Sequence, residues 1–91
     1  MAYEIRITPE GLRNLDRLPP KVRDAALVAV RGPISDNPHR LGKPLVGELV
    51  GLFSARRGDY RIIYSVDDAA NVVIVHRIQH RRSAYRPRPE L

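Results

Sequence analysis

The sequence predicts an α+β fold in the order β-α-α-β-β-β, with an optional terminal helix. It would be a small, largely antiparallel twisted sheet with an N-terminal helical hairpin on one face. Three observations predict it. Helical spacing occurs twice early in the chain, on either side of Pro19-Pro20. From Leu52 onward, runs rich in β-branched and aromatic residues are parted by turn residues at Gly58-Asp59 and from Asp67 to Asn71. The chain has 91 residues, enough for one core and no second.

The elements follow in order. "YEIRIT", Tyr3 to Thr8, alternates apolar with polar, the period of a half-buried strand. Thr8-Pro9-Glu10 is a helix start: a capping hydroxyl, a proline at the first helical position and an acid at the positive dipole end. Leu12, Leu15 and Leu18 follow at helical spacing, and Pro19-Pro20 ends this helix and opens the next. Val22, Ala26, Ala29 and Val30 form one apolar face of the second helix, which Gly32-Pro33 is expected to close. Residues 32–44 are rich in breakers and made basic by His39, Arg40 and Lys43. Leu45 to Gly51 reads equally as a short helix or as the approach to a strand. Strands are expected over Leu52 to Arg57, Tyr60 to Val66 and Val72 to Ile78, the last inside the sheet. His80 to Arg86 adds a possible helical turn. The expected division is a domain over 1–86 and a short basic, proline-rich tail over 87–91.

Lysine and arginine number 16 against 10 acids, a formal charge of +6. Arginine outnumbers lysine by fourteen to two, and its planar fork suits phosphate. Arg77, Arg81, Arg82, Arg86 and Arg88 crowd the C-terminal stretch with His80 and one aromatic, Tyr85. This balance points to nucleic acid or another acidic partner; the plainer reading is a solubilising tail. There is no cysteine, which rules out disulfides and thiolate metal sites and fits a reducing cytoplasm. No stretch approaches the roughly 20 apolar residues of a membrane span, and no signal peptide is evident. No metal or cofactor is expected. His76 and His80 are four apart on a strand, which is no chelating pair, and His76 reads as a packed or solvated strand histidine.

Two helices cover one sheet face and leave the other open. Tyr60, Ile62, Tyr64 and Val66 are the larger apolar set and are expected toward the helices. Arg61, Ile63 and Ser65 then face outward, joined by Ser54 and Arg56, since Phe53 reads as core. Arg56, Arg61, Arg81 and Tyr85 would converge there, with His80 the one member that titrates near neutral pH. Several arginines about one point hold a phosphate and offset the charge that develops on it. The competing reading leaves Arg61 stretched over Ile63 and Tyr85 as a C-terminal anchor.

"GKPLVGELVGLFSARRGDYRIIYSVDD", followed by "VVIVHRIQHRRSAYR", resembles the RelE branch of the RelE/ParE toxins of bacterial toxin–antitoxin pairs. The likeness extends to "YEIRIT" and to the "LDRLPP" link. It implies a ribosome-dependent mRNA endoribonuclease acting in the A site. The 2′-hydroxyl would attack the adjacent phosphate without a metal, leaving a 2′,3′-cyclic phosphate. By this resemblance Arg61 stabilises the phosphate, Arg81 or Arg82 lies near the leaving group, and Tyr85 orients the substrate. Arg56 stands where the best-known member of the family has a lysine, and Ser54 where it has another. Arginine gives up its proton only with great difficulty, its pKa exceeding about 12, so Arg56 is a clamp and His80 or Tyr85 the proton carrier. Lys43, Arg57, Arg82 and Arg86 would add contacts to RNA or ribosome. The implied partners are a cognate antitoxin, the ribosome with its mRNA, and operator DNA only through the antitoxin complex. Two other readings stay open: a ParE-like inhibitor of DNA gyrase, and a weakly active toxin serving mainly as antitoxin partner and co-regulator.

Overall fold

Thr8 opens the first helix as its residue type suggests. Its Oγ1 accepts a hydrogen bond from the Gly11 N–H at 3.0 Å, and Pro9 takes the first helical position. The computed structural model describes residues 2–80. Their elements run β1 (Glu4–Ile7), α1 (Pro9–Arg17), α2 (Pro20–Ala29), α3 (Pro38–Leu41), β2 (Lys43–Pro44), β3 (Phe53–Arg57), β4 (Tyr60–Asp67) and β5 (Val72–His80). The strands form one mixed sheet in the order β1-β5-β4-β3-β2. β1 runs parallel to β5, and the other pairs are antiparallel. The α+β class and the inward set on β4 are as expected. Tyr85 and the possible turn over His80 to Arg86, like the tail, lie beyond the described residues, apart from His80 itself.

Three local features differ from expectation. Gly32-Pro33 does not end the second helix. The backbone passes into a π-helical turn over Val30–Ile34 with Pro33 inside it. Proline lacks a donor and crowds the carbonyl four residues back, and a wider turn relieves both problems. Val30 and Ile34, each 1% exposed, stabilise the extension by burial, at roughly 1.5–3 kcal/mol for each such side chain. Second, Lys43–Pro44 is a fifth, two-residue strand on the edge. The Leu45 to Gly51 segment is neither helix nor strand beyond a 3-10 turn at Gly47–Leu49. Third, Leu12 is exposed, while Leu15 and Leu18 are buried. A spacing of three drifts around the helix and carries one end of the row off the core face.

The core lies between the helical segment and one sheet face. Leu15, Leu18, Ala26 and Ala29 meet Ile62, Tyr64, Val73 and Val75. A two-residue turn, Gly58-Asp59, joins β3 to β4, and Gly58 takes the positive φ of 59° that such a turn needs.

β5 carries one interruption. Tyr64 lies opposite Val75 and Ile63 opposite Arg77, so His76 has no counterpart on β4. This is a β-bulge, and it reverses the alternation. Val73 and Val75 face the core before it, and Ile78 faces the core after it. Thr8 pins the bulge: its N–H donates to the Val75 carbonyl at 3.0 Å and its hydroxyl to the His76 carbonyl at 3.2 Å. Past the end of β1, α1 takes over the open edge of β5, where Asn14 Oδ1 accepts from the Ile78 N–H at 2.9 Å.

At the other end of the sheet a polar clasp ties three segments together. The Tyr3 hydroxyl donates to Asp68 Oδ1 at 2.7 Å, and His39 Nε2 lies 2.9 and 3.0 Å from the two Asp68 oxygens. The His39 hydrogen bond, then that of Tyr3, holds the Asp68 carboxyl below its ordinary value. A depressed carboxylate contributes stability above its unfolded pKa and loses it as pH falls through the folded one. The melting temperature of the wild type should therefore exceed that of Asp68→Asn at neutral pH. The gap should narrow as pH drops below the usual carboxylate range. A gap that stays constant across acid melts would refute the clasp. The effect is small because these groups are exposed. No helix among the described residues is long and apolar enough to cross a membrane.

Candidate nucleic-acid interface

Directly paired residues on neighbouring strands share a face. The register therefore gives the open face as four rows. Arg56, Arg61 and Gln79 form the first, nearest the Gly58-Asp59 turn. Lys43, Ser54, Ile63 and Arg77 form the second. Ser65, Ile74 and Arg6 form the third, and Asp67, Val72 and Glu4 the fourth. Rows stand about 7 Å apart and strands about 4.8 Å. The face thus grades from four cations in two adjacent rows to two acids at the far end. On β1, Glu4 also pairs with Arg6 at 3.1 Å.

The first row carries the strongest functional signal. Arg56 and Arg61 are directly opposite each other. Like charges at opposed positions repel, and an anion between or over them would be held by both. The centre of the face, Ile63, is 1% exposed although it points away from the helices.

Of the residues expected at the site, the fold brings Arg56, Arg61 and Lys43 onto this one face. It turns two others away. Arg57 pairs with Tyr60, whose side chain packs on the core, so Arg57 belongs to the helix side. There it lines a groove of about 420 Å³ with Lys21, Val22 and Asp59. His80 also pairs with Tyr60, and the two rings meet edge to face at 5.5 Å. The correction to His80 follows from the bulge, which swaps the faces of all later β5 residues. Arg81, Arg82, Tyr85 and Arg86 lie outside the described residues.

Two further residues join the open face, Arg77 through this swap and His76 by plain alternation after Val75. Arg77 joins the second row, opposite Ile63. His76 turns its ring to the open face, where Nε2 lies 2.9 Å from Ser65 Oγ. Burial, and then the Arg77 charge, lower the His76 pKa, while Glu10 on α1 acts in the opposite sense. No signal in the sequence marks the bulge except the break in alternation at Val75-His76-Arg77-Ile78, where two polar residues fall side by side. Among the described residues, no group of three or more His, Asp or Glu side chains is placed to hold a metal.

Several arginines with a lysine, arranged about one point on a sheet, can bind a phosphodiester and offset charge building on its oxygens. Comparison with known proteins places the chain among toxins of toxin–antitoxin systems. Residues 5–85 match the family described as ParE toxin of type II toxin–antitoxin system, parDE. The chain is 48% identical over 87 residues to Toxin RelE of Mycobacterium tuberculosis, covering 96% of this chain and 90% of that protein. It is 44% identical over 86 residues to Toxin RelG of the same organism, covering 94% and 99%. Its fold matches a chain in the crystal structure of the toxin–antitoxin complex RelBE2 from Mycobacterium tuberculosis. The TM-score is 0.86 and the identity 43%, over 89% of this chain and 93% of that one.

Proposed function

This chain belongs to the ParE toxin family of type II toxin–antitoxin systems, within its RelE-like branch, and on that premise we propose that it is a ribosome-dependent mRNA endoribonuclease. The observation that carries the reading is the opposed pair Arg56 and Arg61, with Lys43 and Arg77 in the next row. In the reaction the 2′-oxygen bonds to the adjacent phosphorus and the bond from phosphorus to the 5′-oxygen breaks. The 2′-hydroxyl proton leaves to a base, and the 5′-oxygen gains a proton. Negative charge grows on the phosphate oxygens during the displacement, and Arg61 and Arg56 offset it. No step in this scheme calls for a metal. Arg81 and Tyr85 keep the roles that the family resemblance implies, near the leaving group and against the substrate.

A cognate antitoxin is the protein partner, in keeping with the toxin–antitoxin complex whose toxin this chain resembles. The ribosome holds the mRNA, and operator DNA is met only through the antitoxin complex. Purified protein added to a translating extract should cut mRNA on the ribosome, leaving fragments with 2′,3′-cyclic phosphate and 5′-hydroxyl ends. Growth arrest with intact mRNA and inhibited DNA supercoiling would replace this reading with gyrase inhibition. Absence of arrest would favour an antitoxin partner with little activity of its own.

A further inference from the structure

We propose that His76 is an RNA-phosphate contact of the open face, neutral in the free protein and protonated when a phosphodiester binds beside it. The proposal rests on the reading of that face as an RNA surface.

Three observations lead to it. His76 is the extra residue of the bulge, and bulges are over-represented beside functional sites. Its ring lies on the open face beside Ser65, next to the row that holds Lys43 and Arg77. The geometry is fixed and not a loose excursion, because Thr8 holds the carbonyls of both Val75 and His76. Of the three histidines in the chain, His39 is engaged by Asp68 at the far end of the sheet, and His80 meets Tyr60 on the opposite face. His76 is thus the histidine that shares a face with Arg56 and Arg61.

Its surroundings set the direction of the response. β4 offers the neutral Ser65 hydroxyl, and β5 offers the cation Arg77. α1 offers the anion Glu10, and β1 offers Arg6, whose guanidinium is paired to Glu4. Burial and Arg77 together favour the neutral ring in the free protein. In that state Nε2 and the Ser65 hydroxyl satisfy each other. A phosphate seated on the neighbouring cations adds a negative charge within reach and removes the penalty on the imidazolium. The protonated ring then has two donors in place of one, for Ser65 and for the anion. By linkage, RNA binding takes up a proton at His76, and affinity rises as pH falls through its titration.

The test is an NMR titration of the three histidine rings in the full chain, alone and with a short 2′-O-methyl RNA that cannot undergo 2′-hydroxyl attack. The expected result is a His76 midpoint below the ordinary histidine value in the free protein and raised by the RNA. His76→Gln should bind the same RNA about 2- to 5-fold more weakly than wild type at pH 6, and equally at pH 8. Arg61→Ala separates the two levels of the argument. If RNA binding depends on Arg61 but leaves the His76 midpoint where it was, the proposal fails and the RNA face stands. If RNA does not bind, or binds Arg61→Ala as well as wild type, the reading of the face falls and the proposal with it. The wild-type titration requires no variant to fold.

Discussion

Replacing Arg61 with alanine is expected to lower the rate of mRNA cleavage on the ribosome by about 10²–10³-fold, the usual cost of removing one preorganised group that stabilises transition-state charge. Truncation also removes a half-buried side chain, so some thermal stability should be lost with it. A purely structural arginine would show that loss with cleavage by the folded protein intact, and an idle one would change neither property. Arg61→Lys keeps the charge and loses the two-pronged fork, so its rate should fall between wild type and alanine. Single-turnover cleavage on programmed ribosomes, with a melting curve for each variant, measures both quantities. Full cleavage by Arg61→Ala would remove the arginine pair from the mechanism.

Tyr64→Ala is expected to cost about 3–5 kcal/mol, the range for deleting a large buried ring. A domain of this kind holds roughly 5–15 kcal/mol in all, so much of the variant would be unfolded at 37 °C. Tyr64 is fully buried at the middle of the sheet and stacks on Phe53 with centroids 5.5 Å apart. Its hydroxyl donates to the Pro38 carbonyl at 2.5 Å. Gly42 lies so close to the ring that an added Cβ would collide with the Tyr64 hydroxyl. Tyr64→Phe keeps the packing and strands the Pro38 carbonyl, at a cost of about 1–3 kcal/mol. Burial pushes the Tyr64 pKa up to about 12. A raised phenol contributes stability below its unfolded pKa, and that stability is lost as pH rises from there toward the folded value. Urea denaturation of the two variants, repeated on the wild type at alkaline pH, checks all three statements. A Tyr64→Ala protein as stable as wild type would show that this ring does not join the helical segment to the sheet.

Much of the architecture was legible because it rests on local chemistry. Thr8-Pro9-Glu10 caps a helix wherever it stands, since the cap needs only residues three apart. Gly58-Asp59 makes a hairpin because glycine alone takes that φ without strain. Tyr60, Ile62, Tyr64 and Val66 declare the packed side of β4 because alternation on one regular strand is a property of its own backbone. The same strand placed Arg61 opposite the helices, which was the part of the site the sequence could hold. The proline in the π-turn departs from its local preference for the converse reason. Its local preference is to stop a helix, and burial of Val30 and Ile34, a tertiary effect, outweighed it.

By itself, the sequence determined the class of fold, the order of its main elements, the family, and the basic character of the face bearing Arg56 and Arg61. The tertiary structure alone decided which other residues share that face. A single extra residue at His76 moved His80 to the core side and brought Arg77 to the arginines. A strand's alternation is fixed by its own residues, but a bulge arises only when two strands and the Thr8 contact are assembled together. Side-chain direction beyond that point was therefore written in the pairing and not in the pattern.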